Sequence, residues 1–149
     1  MIELRNFRDS DAEMFREKHS KHRSIDEIRD LFRKWNEKEY KEKYFEMFAI
    51  VKNEEMVGCI SLYQHSENVI SCGPEIFDAY QRQGVAKEAM SLTMDIAKSK
   101  GYKVSNDNYR DSQHRRKNNA LCIAVKAGNN NRENQHCYNV IREYTVKNA

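Results

Sequence analysis

Apolar and polar positions recur with two different periods along this chain. Over residues 85–100, Val85, Ala89, Leu92 and Ile96 form one apolar row, with Ala86, Met90 and Ala97 beside it. Lys87, Glu88, Ser91, Asp95 and Lys98 fall on the opposite side. That spacing predicts an amphipathic helix. Lys98 and Lys100 suit the negative end of its dipole, and Gly101 is a natural residue to follow its last turn. Before it, residues 69–77 form an apolar segment, and after it Tyr102-Lys103-Val104-Ser105 resumes a strand-like pattern. The predicted unit is strand, glycine loop, helix, strand.

Upstream, Ile2-Glu3-Leu4-Arg5 alternates as a first strand. Ser10-Asp11-Ala12-Glu13 reads as a capping box, with Ser10 as N-cap and Glu13 at N3, and predicts a helix to about His19. Ser24-Ile25-Asp26-Glu27 is a second box, followed by the stripe Ile28, Leu31, Phe32 and Trp35. Residues 37–43 either continue that helix or connect it onward. Strands over 45–51, 56–63 and 69–77, joined by polar turns at 53–55 and 64–68, predict an antiparallel meander. Gly73-Pro74 interrupts the last of these. Proline removes a ladder donor, so it marks an edge, a bulge or a local break. Downstream, a strand to about Tyr109, a helix over 119–126 ending at Gly128, and a final strand over 136–146 complete the reading. There is no internal repeat and no low-complexity segment.

Gln81-Arg82-Gln83-Gly84-Val85-Ala86 joins the apolar strand to the long helix. A glycine-spaced loop at a helix start leaves several backbone N–H groups without intrahelical partners, and their dipoles favour an anion. A phosphate-bearing cofactor is the natural occupant. The spacing is neither that of a nucleotide P-loop nor that of the dinucleotide fingerprint. It is Arg/Gln-x-x-Gly-x-Gly/Ala, carried by Gln81, Gly84 and Ala86, and in this the sequence resembles the GNAT acetyltransferase superfamily. Pro74-Glu75-Ile76-Phe77-Asp78-Ala79-Tyr80 resembles the family's fourth strand and its exit into the loop.

The resemblance covers roughly the first two-thirds of the chain. It implies the α/β (α+β) acyl-CoA N-acyltransferase fold, a mixed, mostly antiparallel central sheet flanked by helices, as one domain over residues 1–149. It also implies that the fourth strand splays from the next one and opens a cofactor slot. Acetyl-CoA is the implied cosubstrate. Its pyrophosphate would lie on the loop Gln81, Arg82, Gln83, Gly84, Val85, Ala86 and Lys87, and its pantetheine arm along the strand at Ile76 and Phe77. The family's later helix aligns on Asn118 or Asn119 and on Lys126-Ala127-Gly128, which adds Asn118 to the cofactor set. The tyrosine that commonly serves the family as general acid falls on Ala124 or a neighbouring position.

Acetyl transfer to an amine requires a fixed thioester, a neutral amine, a base for the surplus proton and a donor for the tetrahedral oxyanion. Glu75 is the candidate base, and the amide of Ile76 or Phe77 the candidate donor. With the family tyrosine missing, the candidate acid is Tyr138, with Tyr109 and Tyr80 as others. His65 and His136 could relay protons. Phe32 and Trp35 pack in the core or line the acceptor pocket. The expected reaction moves acetyl from acetyl-CoA to a primary amine, on a small molecule or a protein, by direct attack. Cys72 and Cys122 are not needed as nucleophiles. Two alternatives stand beside it. One is a coenzyme-A-binding domain with weak or no catalysis. The other is a nucleic-acid-binding module using the basic loop of Arg110, His114, Arg115, Arg116 and Lys117.

Composition narrows the rest. At 149 residues, 39% apolar and 33% charged, the chain reads as a soluble globular protein with room for a core. No apolar run approaches a membrane span, and Met1-Ile2-Glu3-Leu4-Arg5 lacks a signal-peptide core, so a cytoplasmic location is expected. A net charge of +3 is too mild to imply nucleic acid. Cys59, Cys72, Cys122 and Cys137 show no metal-ligand spacing, so buried reduced thiols are expected and a metal is not. A homodimer through an exposed strand or the C-terminal region is compatible with the sequence.

Overall fold

The computed structural model describes residues 1–67, 69–104 and 122–126. Seven strands among them form one sheet: β1 (Ile2–Arg5), β2 (Glu39–Tyr40), β3 (Lys43–Lys52), β4 (Glu55–Ser66), β5 (Val69–Ile76), β6 (Tyr102–Val104) and β7 (Cys122–Lys126). Their order is β1-β3-β4-β5-β7-β6, with β2 paired to β3 at the β1 edge, and every described pairing is antiparallel. The helices are α1 (Ala12–Lys18), α2 (Ile25–Asn36) and α3 (Val85–Ser99).

Strand periodicity divides the core in two. On one face, Val85, Ala89, Met90, Met94 and Ala97 of α3 pack on Ile50, Ile60, Leu62 and Ile70. On the other, Phe15 of α1 and Ile28 and Phe32 of α2 pack on Ala49, Cys59 and Phe77. Phe32 is therefore core, and Trp35 lies tilted against Phe7, with 5.1 Å between ring centroids. The expected meander is present as β3, β4 and β5. Asn53 (φ 51°) and Glu54 (φ 64°) are both left-handed, which suits a two-residue hairpin turn with the twist of its strands. β4 runs on to Ser66, so the following turn is tighter than residues 64–68. Between the pairs Ile50–Gly58 and Val51–Met56, Val57 is an extra residue, and this bulge puts its side chain in the α3-side core.

Three local expectations change. Residues 122–126 are a strand, not a helix. Ile123 and Val125 are β-branched, and the segment finds ladder partners in both β5 and β6, which outweighs a short helical pattern. The segment after α2 forms the short β2. Ser10 is not an N-cap either: a 3-10 turn at Asp9–Asp11 precedes α1, and the Asp11 carboxylate organises it. Asp11 Oδ2 accepts the Arg8 N–H at 2.7 Å, and the Arg5 guanidinium grips both carboxylate oxygens at 2.7 and 2.9 Å. The second cap is as expected, with Ser24 Oγ accepting the Glu27 N–H at 3.1 Å.

Burial acts to raise the Asp11 pKa, but hydrogen bonds from Arg5 and from the Arg8 amide, with the charges of both, outweigh it and hold the carboxyl below the usual range. A folded-state value below the unfolded one gives stability that is complete above the unfolded pKa. It is lost as pH falls through the folded value. Asp11→Asn should therefore lose about 2 kcal/mol at pH 7. In urea melts, the gap between variant and wild type should close as the medium is acidified below the carboxylate range. A gap that persists there would show that the Asp11 charge is not its source.

Candidate cofactor and acyl-transfer site

The second half of β5 has one partner strand among the described residues. β7 pairs with β5 only from Val69 to Cys72, whereas β4 pairs with it to Ile76. The sequence neighbour β6 does not lie beside β5, because β7 comes between them. Among the described residues, nothing pairs with the edge of residues 73–76 beyond the Cys72–Cys122 pair. Pro74 sits on that edge without bulge or break in the β4–β5 ladder.

Antiparallel ladders alternate the direction of successive N–H and C=O groups. Phe77 donates its N–H to Val57 O at 3.0 Å, so Glu75 and Gly73 also face β4 while Ile76 and Pro74 face the open edge. The Gln81 Nε2–H bond to Ile76 O, at 3.0 Å, agrees with this. The Phe77 amide is committed within the sheet and is not a donor for a bound carbonyl. Pro74 has no N–H, which leaves the Ile76 amide as the single edge-facing donor of residues 73–76.

Past Phe77, a 3-10 turn at Asp78–Tyr80 leads into the glycine loop. Its anchor is Tyr80, whose hydroxyl donates a short hydrogen bond to Glu55 Oε1. Lys18 Nζ donates to the same oxygen at 2.6 Å, to Met56 O at 3.2 Å and to Tyr80 Oη at 3.1 Å. Hydrogen bonds from Lys18 and then Tyr80 hold the Glu55 carboxyl below its usual range. Burial acts to lower the Lys18 ammonium, but Glu55 and Tyr80 reverse the direction and raise it. Tyr80 is thus engaged as a structural tie between α1, β4 and the loop. Gln81 turns back on Ile76 O and on Asp78 Oδ1, at 3.2 Å, and Gln83 donates to Ala79 O at 3.4 Å. Both side chains brace the loop.

With these side chains turned inward, the loop presents its backbone. Gly84 is left-handed (φ 80°) and caps α3 without any side chain. A Cβ built there would meet nothing within 4 Å. Arg82 is also left-handed (φ 62°), an uncommon conformation for a residue with a side chain. The first hydrogen bond into α3 is from Glu88 N–H to Gly84 O, so the amides of Val85, Ala86 and Lys87 precede the helical ladder. The Val85 side chain is buried under the sheet, while Gln81, Arg82, Gln83, Gly84 and Lys87 are exposed. Among the described residues, the arrangement is an exposed, positively polarised backbone surface next to the unpaired edge of β5 at residues 73–76.

Glu75 lies on the α1–α2 face, 55% exposed, with Oε1 at 3.4 Å from Nε2 of His19. The two residues are far apart in sequence and nothing in the sequence pairs them. Cys59, opposite Glu75 on β4, is buried, and burial with the Glu75 charge pushes its thiol up to about 12. It stays protonated at neutral pH and is not a nucleophile. Gly58 lets the strands approach: a Cβ there would stand 2.4 Å from Glu75 O and 3.0 Å from Ile76 Cα. His65 is in β4 rather than a turn, with Nε2 at 2.6 Å from Ser71 Oγ. Tyr138, Tyr109, His136, Asn118, Cys137 and the basic loop 110–117 lie outside the described residues.

Among the described residues no helix is long and apolar enough to cross a membrane. Residues 2–134 match the family model described as acetyltransferase (GNAT) domain. No curated protein matches the chain.

Proposed function

The chain belongs to the GNAT acetyltransferase family, and on that premise we propose that it moves acetyl from acetyl-CoA to a primary amine by direct attack. The observation that carries this reading is the edge-facing amide of Ile76, on a strand half that has no second partner among the described residues and leads into the N–H groups that precede the α3 ladder at the Gly84 loop. The pyrophosphate fits the amides from Arg82 to Lys87. The pantetheine arm fits the edge of residues 73–76. The thioester carbonyl accepts from the Ile76 N–H, which strengthens as the oxygen becomes an oxyanion.

The neutral amine adds to the carbonyl carbon. Glu75 takes the surplus proton, the C–S bond breaks, and coenzyme A leaves as a thiolate that solvent protonates. A lysine-type amine is almost wholly protonated at pH 7, with a pKa of about 10.4, so proton removal is a real part of the barrier. Glu75→Gln should lower kcat about 100-fold or more, with acetyl-CoA affinity unchanged. Coenzyme A release from acetyl-CoA with benzylamine, spermidine or a tripeptide with a free α-amine as acceptor, alongside calorimetric titration of acetyl-CoA, measures both. A folded wild type that binds acetyl-CoA but acetylates none of these would favour a binding domain without catalysis.

A further inference from the structure

The proton acceptor described above is a half-exposed carboxylate, and its neighbour is a histidine held from several sides. His19 closes α1, its N–H bonded to Phe15 O at 2.9 Å. Its ring lies nearly parallel to Phe77, with centroids 5.6 Å apart and planes 25° apart, and edge-on to Phe15 at 5.1 Å. The side chain is 29% exposed, against 55% for Glu75, and Nε2 is 3.4 Å from Glu75 Oε1. A free glutamate side chain loses rotamer freedom when it is fixed. An imidazole already immobilised by two aromatic rings offers a fixed point against which that carboxylate is ordered before substrate arrives.

We propose that His19 is a positioning residue for the acyl-transfer reaction: it holds Glu75 through one carboxylate oxygen and leaves the other oxygen to accept the amine proton. This rests on the proposed acetyltransferase reading. The bonds made and broken are those of that reaction. The amine N–H proton goes to Glu75 Oε2 and from there to solvent, and His19 exchanges no atom with substrate.

The test compares wild type, His19→Gln and Glu75→Gln in coenzyme A release with benzylamine, spermidine and the tripeptide. Acetyl-CoA affinity and the melting temperature are measured on the same samples. Glutamine keeps a planar polar group on Phe77, and an exposed ion pair contributes little to stability, so His19→Gln should stay folded. It should keep its acetyl-CoA affinity and its melting temperature and lose about 100-fold in kcat, a loss of turnover without a loss of binding or fold. His19→Gln with kcat within twofold of wild type, or with affinity or melting temperature lost along with kcat, overturns the assignment, while the proposed function stands. Wild type that acetylates no probe overturns the reaction itself, and this role with it.

Discussion

Gly58→Ala is expected to lose about 3 kcal/mol of stability, the upper end for a small-to-large change, together with most acyl transfer. The added Cβ would stand 2.4 Å from the carbonyl oxygen of Glu75 and 3.0 Å from Ile76 Cα. Both are backbone atoms, so no side chain can rotate away. The strand must move instead, and the segment that moves carries the candidate base and the candidate oxyanion donor. Stability and activity should therefore fall together. Urea melts and coenzyme A release on the same preparation would show this. Gly73→Ala is the control: its Cβ meets only Ser61 Oγ, at 3.4 Å, and its stability loss should be smaller. Equal, small effects of the two substitutions would mean that β5 is not pinned by its contact with Gly58.

The second large effect is on binding. Gly84→Glu should weaken acetyl-CoA at least 100-fold while lowering the melting temperature by only a few degrees. Two terms act in the same direction. The left-handed backbone at φ 80° disfavours any residue with a Cβ by about 1–2 kcal/mol. The carboxylate then lies where the pyrophosphate would, on amides that favour an anion, and repels it. Open space around Gly84 means that the variant folds without a clash. Gly84→Asn separates the terms, because asparagine tolerates this conformation and brings no charge. It should bind acetyl-CoA within about tenfold of wild type. Undiminished binding by Gly84→Glu in a calorimetric titration would place the phosphates elsewhere.

Much of this was legible because periodicity and turn chemistry act locally. α3 announces itself by the row Val85, Ala89, Leu92 and Ile96, and Ser24 caps α2 as its spacing predicts. The meander was legible from three apolar segments and two polar turns. Gly84 was legible because a glycine before a helix has few other uses. What escaped was set by tertiary pairing. Residues 122–126 became a strand because β5 and β6 offered ladder partners. Ser10 lost the capping position to Asp11 because Arg5, on β1, reaches that carboxylate. His19 and Glu75 meet only after α1 docks on the sheet, and the choice of Ile76 over Phe77 as donor depends on the phase of a ladder that begins at Val57. Gly58, an unremarked glycine in a strand, carries no local signal at all. Its reason is the backbone of another strand.

Pro74 has one further consequence. An uncovered strand edge is a template on which another chain can add its own strand, and proteins guard such edges. Among the described residues, the edge of residues 73–76 displays two residues outward, and one of them cannot donate. An incoming strand would find one N–H where a continuous ladder requires a donor at every second residue. On the proposed reading this edge receives a thioester, and the proline keeps it from becoming a site of self-association; Pro74→Ala would restore its capacity to recruit a second chain.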